Sequence, residues 1–257
     1  MTIGPGLREQ VSAARFAEVA EEAVRRVARE QAAGVSAAAD LVVGGLRAGG
    51  VVQAFGTGHS QALAMEISGR AGGLVPTNMI ALRDLVLLGG EPPELLFTEF
   101  LERDPGLGRR LYALAGVSPP DVFVMASNSG GNGSVVEFAH VVKAHGHPLV
   151  VITSMDHTSR VTSRHPSGRR LHELADVVLD NGAPYGDAVL TTGGIAVCAV
   201  SSITAALLAQ MIVAEVVGTM LAAGEDPPVY LSSNVPEGDA HNTALEARYA
   251  GRIRRPA

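Results

Sequence analysis

Val122-Phe-Val-Met-Ala-Ser-Asn-Ser-Gly-Gly-Asn-Gly-Ser134 is the stretch whose reading decides the fold. Its apolar run, bounded by Asp121 and Ser127, reads as a short strand buried on both faces. Only Ser, Asn and Gly occupy positions 127–134. Apolar residues at helical spacing follow from Val135 to His145, so this loop joins a strand to a helix N-terminus. Such a junction suits an anion, because the unpaired N–H groups of the first turn and the positive end of the helix dipole meet there. Glycines let the backbone approach, and the Ser127, Ser129 and Ser134 hydroxyls and the Asn132 amide supply further hydrogen bonds. Ser134 also reads simply as a helix cap.

Outward from this loop the pattern repeats. A long helix is expected from Leu7 to about Gln31, interrupted at Gly34, with Ser36 capping a second helix to about Arg47. Val51–Phe55 reads as the first strand. The loop Gly56-Thr-Gly-His-Ser60 leads into a helix from Gln61 to about Ala71. Leu74–Ile80 is a second strand, and residues 91–103 and 106–115 read as two helices. Pro148–Thr153 and Val177–Leu179 are further strands, with the polar stretch 156–175 between them. A long apolar helix is expected over Gly193–Ala223 and a last one over 238–250. Alternating short strands and helices predict an α/β fold, a doubly wound five-stranded parallel sheet with flanking helices and a long N-terminal helix. In the strand order 2-1-3-4-5 the strands before the two small-residue loops are neighbours, and ligands bind outside their carboxyl ends. Both loops then face one crevice.

Composition sets outer limits. The 257 residues carry a formal charge of −6, which argues against a nucleic-acid partner. One cysteine, Cys198, rules out an intrachain disulfide and fits a reducing cytoplasm. Between Val197 and Ala199 it reads as a buried, inert thiol. The start Met1-Thr-Ile-Gly-Pro-Gly has no signal-peptide pattern. Ile195–Val213 approaches the length of a membrane span, but Ser201, Ser202, Thr204 and Gln210 interrupt it. It is expected in a core or subunit interface rather than a membrane.

Gly56-Thr-Gly58 begins like a dinucleotide fingerprint, but Gln61 stands where the third glycine belongs. No Gly-Lys-Ser/Thr follows either loop, which excludes a nucleotide P-loop. Gly58-His-Ser60-Gln-Ala62 resembles a nucleophile elbow with Ala in place of the last glycine, and Asp187 and His241 follow in the order of a hydrolase triad. That reading puts the elbow after the first strand and leaves the Ser127–Asn132 loop unexplained.

Together, Gly56-Thr-Gly-His-Ser60 and Ser127-Asn-Ser-Gly-Gly-Asn132, each after a strand, resemble the sugar isomerase (SIS) family, over roughly residues 35–225. The resemblance implies a single SIS domain over 1–257, of flavodoxin-like topology. It implies that Ser60, Ser127, Ser129 and Asn132 grip a sugar phosphate; Gly58, Asn128, Gly130, Gly131 and Ser134 of the same loops are further candidate contacts, and Asp187, which precedes the long helix, is a candidate crevice residue. It further implies a homodimer or homotetramer, often with a residue lent between subunits. Members include isomerases, an etherase and regulatory binding modules.

Removing the proton next to a sugar carbonyl needs a carboxylate base and a proton shuttle. Glu66, six residues after Ser60, is the candidate base, and it also fits a surface pair with Arg70 at i, i+4. His59 in the first loop and His241 at the start of the last helix are candidate shuttles; each also reads as an ordinary polar residue. Glu99 and Glu102 are weaker carboxylates. His145 and His147 fit a helix C-terminus. His157, His165 and His172 lack ligand spacing, so no metal and no cofactor is expected. The closing arginines from Arg248 to Arg255 read as a solvated tail. The expected chemistry is abstraction of the C2 proton from a hexose or amino-sugar 6-phosphate, giving a ketose or, on an N-acetylated sugar, elimination. A non-catalytic sugar-phosphate sensor is the alternative.

Overall fold

A computed structural model describes residues 11–255. Its centre is a parallel sheet of β1 (Val52–Gly56), β2 (Thr77–Ile80), β3 (Val122–Ala126), β4 (Leu149–Thr153) and β5 (Val177–Asp180), in the order β2-β1-β3-β4-β5. Val52 sits beside Thr77 on one side and Val122 on the other, and Gly56 beside Ala126. The two small-residue loops therefore leave the sheet next to each other, as the strand order requires.

β1, β3 and β4 are buried throughout, which is why they are continuously apolar rather than alternating. Successive side chains still point to opposite faces. Ala54, Val124 and Ile152 pack with α2 (Ala32–Arg47), α3 (Gln61–Ile67) and α8 (Ser201–Ala222). Phe55, Phe123 and Val151 pack with α5 (Gly106–Leu114) and α6 (Gly133–Ala144). The helices after β1 and β3 thus lie on opposite faces, and the chain changes face between neighbouring strands.

Several boundaries differ from expectation. Helix α1 (Ala13–Glu30) is capped by Ser12, whose hydroxyl accepts from Arg15 N at 3.1 Å; the expected residues 7–10 lie outside the described part. The break falls at Gln31, whose side-chain oxygen accepts from Asp180 N, so Gly34 and Ser36 lie inside α2. Residues 84–103 form α4 (Asp84–Leu87) and two 3-10 turns, 93–97 and 101–103, in place of one helix. Within 156–175 lie most of α7 (Met155–Arg160) and a further 3-10 turn.

The largest correction concerns Gly193–Ala223. Its first part is a hairpin of β6 (Ala188–Thr192) and β7 (Ile195–Ala199), and α8 starts only at Ser201. Gly193 and Gly194 have φ of 54° and 83°, the left-handed pair that a two-residue hairpin turn needs. Flanked by β-branched residues, the Gly-Gly pair was a hairpin signal hidden in an apolar run. The hairpin leaves Cys198 exposed, not buried. Among the described residues α8 alone has the length and apolarity of a membrane span. One face of it packs on the sheet-side helices, while Ile203 and Leu221 are exposed.

The C-terminal arginines are a strap, not a solvated tail. After α9 (Gly238–Arg248) the chain runs along β2, the edge strand. The Asn78 side-chain amide donates to Arg252 O at 2.8 Å and accepts from Arg254 N at 2.7 Å, and the Arg254 and Arg255 guanidinium groups donate to Met79 O and Thr77 O of the strand. Covering an exposed strand edge removes its open hydrogen-bonding row.

Candidate functional site

A shallow crevice of about 300 Å³, counting space open to solvent, lies at the carboxyl ends of β1, β3, β4 and β5. His59 and Ser60 enter it from the short turn before α3, Ser127 and Asn128 from the loop after β3, and Asn181 from the end of β5. Ser201 and Ser202 close it from the first turn of α8. The starts of α3 and α8 thus meet there, beside the loop that opens α6. Short side chains leave the start of α3 without a side-chain cap, whereas the Asp187 carboxylate covers the start of α8.

The loop after β3 is held from below. Thr153 donates to Ser127 O at 2.7 Å, and buried Thr158 donates to Ser129 O at 2.8 Å. Ser127 Oγ accepts from Gly130 N at 3.1 Å, and Asn128 Oδ1 accepts from Asn181 at 2.7 Å. Gly130 has φ 58°, and a Cβ there would stand 3.0 Å from Thr158 Oγ1. A second loop is laid against the first: Arg164 N donates to Gly131 O and Leu171 N to Gly130 O, each at 2.8 Å. The Arg164 guanidinium reaches the Asn132 side chain at 3.4 Å. That second loop is anchored by His165, whose Nε2 lies 2.8 Å from the Glu137 carboxylate on α6. Burial works against ionisation of Glu137, but the bonds from His165 and Arg109 outweigh it and hold its carboxyl below the usual range.

Not every expected residue arrives. Ser134 is fully buried and donates to Glu102 O at 2.7 Å; Asn132 occupies the N-cap position. Ser134 is therefore a tie between α6 and the 101–103 turn, neither a crevice hydroxyl nor a cap. Asp187, with φ 71°, accepts from Ser201 N at 2.8 Å and Ser201 Oγ at 2.6 Å, so it caps α8 and reaches the crevice only through Ser201. Glu66 does not line the crevice. It pairs with Arg70 and accepts from Gln210 of α8 at 2.7 Å. His241 lies elsewhere: its ring contacts Val229 O, in the segment bridged to Leu74 at the amino end of β2. With Asp187 capping a helix and His241 at the opposite end of the sheet, the hydrolase triad does not assemble within this chain.

Asn181, Ser201 and Ser202 line the crevice without a sequence signal that singles them out as site residues. Ser201-Ser202 ahead of an apolar helix is a start signal, but it was absorbed into a helix placed too early. His147 is also relocated. It is buried, with Nδ1 3.2 Å from Asp121 O and Nε2 2.9 Å from the Tyr112 hydroxyl, while His145 does sit at the end of α6.

The profile of the SIS domain family matches residues 15–154, more than half of the chain. The chain belongs to the SIS family. The chain is 39% identical over 240 residues to the UPF0309 protein lmo0025 of Listeria monocytogenes, covering 93% of this chain and 97% of that one. It is 40% identical over 219 residues to the UPF0309 protein BH3325 of Halalkalibacterium halodurans, covering 82% and 86%. Among solved structures, phosphoheptose isomerase GmhA from Neisseria gonorrhoeae shares the SIS fold at a TM-score of 0.50 and 20% identity, over 79% of this chain and 95% of that one. A phosphoheptose isomerase from Francisella tularensis does so at 0.50 and 15%, over 80% and 98%.

Proposed function

We propose that this SIS domain is an enzyme that binds a hexose or amino-sugar 6-phosphate and removes its C2 proton. The convergence of helix starts and uncommitted hydroxyls on one crevice carries the reading. A phosphate there accepts hydrogen bonds from Ser60 and Ser127, which line the crevice, and from Ser129, Gly58 N and the free backbone N–H groups of the 128–132 loop just outside its lining, without a resident cation. Asn132, with Arg164 against it, forms the outer wall of that loop.

Glu66 stands one helical turn behind Ala62, at i, i+4, and Ala62 lines both the crevice and the shallow hollow that holds Glu66. Ser60 and Glu66 are separated by about 9 Å of helix rise, a span that an open-chain hexose phosphate can bridge. In the proposed step the Glu66 carboxylate takes the C2 proton, the C–H electron pair forms the C1–C2 double bond, and the C1=O π pair moves to O1, which takes a proton from His59, giving an enediol (an enaminol from an amino sugar). Reprotonation at C1 gives the ketose; loss of the C3 substituent gives elimination. His59, at the crevice, is the proton shuttle from the same chain. His241 serves only if a neighbouring subunit of a homodimer or homotetramer brings it in. The proposed setting is the cytoplasm.

One observation favours a second reading, a binding-only sensor: no Asp or Glu lines the crevice itself among the described residues. Proton NMR of a sugar-phosphate panel in deuterated water separates the two. Turnover predicts loss of the C2 proton signal, abolished by Glu66→Gln with binding retained. Unchanged exchange in Glu66→Gln would sink the assigned base. Binding without exchange for any sugar would leave the sensor.

A further inference from the structure

A second hollow, sharing no residue with the crevice, opens between the end of α3, helix α4 and the C-terminal strap. It encloses about 1190 Å³, counting space open to solvent. Its walls are of two kinds. Met65, Met79, Leu87 and Leu88 are apolar, and three of them are unusually exposed for such side chains, at 60%, 67% and 50% for Met65, Leu87 and Leu88. Arg83, Arg254 and Arg255 are cationic, with Asp84 the single carboxylate among the lining residues.

That concentration of positive charge stands out in a chain of net charge −6. The arginines also differ in how far they are committed. Arg255 is tied to Thr77 O, Val75 O and the Tyr230 hydroxyl. Arg254 makes one long bond, to Met79 O at 3.2 Å, and lies 3.7 Å from Asp84; its buried Nε has no partner. Arg83 makes no side-chain hydrogen bond or ion pair among the described residues. A guanidinium carries five donors, so this rim holds unused donor capacity. The buried Ser68 hydroxyl, in the same wall, is likewise unpartnered. Buried polar groups left unpaired are the exception in folded proteins and call for a cause.

We propose that this hollow is a binding site for a small organic anion with an apolar body. The phosphate, sulfonate or carboxylate head is taken by Arg83 and Arg254, and the body lies on Met65, Met79 and the α4 leucines. The paired requirement follows from the walls. Planar guanidinium forks recognise oxyanions, and the exposed apolar side chains gain from being covered. A sugar phosphate satisfies the arginines but not the leucines, so this ligand class differs from the one assigned to the crevice. The site also touches α3 on both sides of Glu66, through Met65 and Ser68, so its occupant bears on the helix that opens the crevice.

The test uses 8-anilinonaphthalene-1-sulfonate as probe and methionine-methyl NMR as readout, on the full chain. The expected result is saturable shifts at Met65 and Met79 while buried Met125 stays put. Neutral N-phenyl-1-naphthylamine and inorganic phosphate should each bind at least about tenfold more weakly, the scale set by a pair of charge-assisted bonds. Arg83→Ala, which breaks no bond seen in the fold, should weaken the probe by a similar factor, and Arg83→Ala/Arg254→Ala further. Shifts confined to other methionines, or equal affinity for the neutral compound, would overturn the proposal. So would Met65 and Met79 shifts that depend on protein concentration without probe, since a second copy would then cover the hollow.

Discussion

The two ends of the same sheet are built on opposite principles. At the amino end, the buried carboxylate of Asp121 is fully committed. It accepts from Val51 N and Ser118 N at 3.0 Å, from Gln53 at 2.9 Å and from Arg252 at 2.6 Å. At the carboxyl end, the Ser60, Ser129 and Ser202 hydroxyls donate to no protein group among the described residues, and no carboxylate lines the crevice. A satisfied buried charge holds strands and strap together; unsatisfied neutral donors suit the anion proposed above. Stability and binding are therefore separable by end.

The largest expected effect falls at the amino end. Asp121→Ala strands two backbone N–H groups, an amide and a part-buried guanidinium, and should cost about 3–5 kcal/mol by urea unfolding. Sugar-phosphate affinity per folded molecule should not change. A selective loss of affinity at intact stability would break the division.

Gly130→Ala comes next. Its left-handed φ and the tight approach to Thr158 predict about 1–2 kcal/mol of strain. Relief of that strain moves the loop, so both melting temperature and affinity should fall. Ser60→Ala should act on affinity alone. Losing one hydroxyl bond to phosphate weakens binding by about 1–2 kcal/mol, roughly tenfold by calorimetry, with an unchanged melting curve.

The smallest effect concerns pH. Burial holds the His147 imidazole below its ordinary value, only partly opposed by the Asp121 carbonyl and charge. The unfolded chain then takes up a proton before the folded one. Stability is complete above the unfolded value of about 6.5 and falls as pH drops through the folded value. His147→Gln should flatten this part of the acid limb without touching the crevice.

The sequence exposed the carboxyl end more readily than the amino end for a physical reason. A buried parallel strand followed by Ser, Asn and Gly is a local pattern, so β1, β3 and their loops could be read from neighbouring residues. Strand order followed because two such loops make sense only side by side. Asp121, by contrast, gains its role from Val51, Gln53 and Arg252, which are far away in the chain, and so the arginine strap read as a tail. Ser201 and Ser202 were concealed because an apolar stretch with no charges suits a strand or a helix equally, and only Gly193-Gly194 marked the change. Ser134 misled in the other direction: a serine at a helix start is a natural ligand, and nothing nearby announces that Glu102 O will claim it.

The claim that the crevice end holds phosphate is tested most directly by calorimetric titration of glucosamine 6-phosphate and glucosamine into the wild-type chain and a Ser60→Ala/Ser129→Ala variant. Binding of the phosphorylated sugar only is expected, at least about 100-fold weaker in the doubly substituted chain, whose melting temperature is unchanged. Equal binding of the unphosphorylated sugar, or full affinity in that variant, would contradict it.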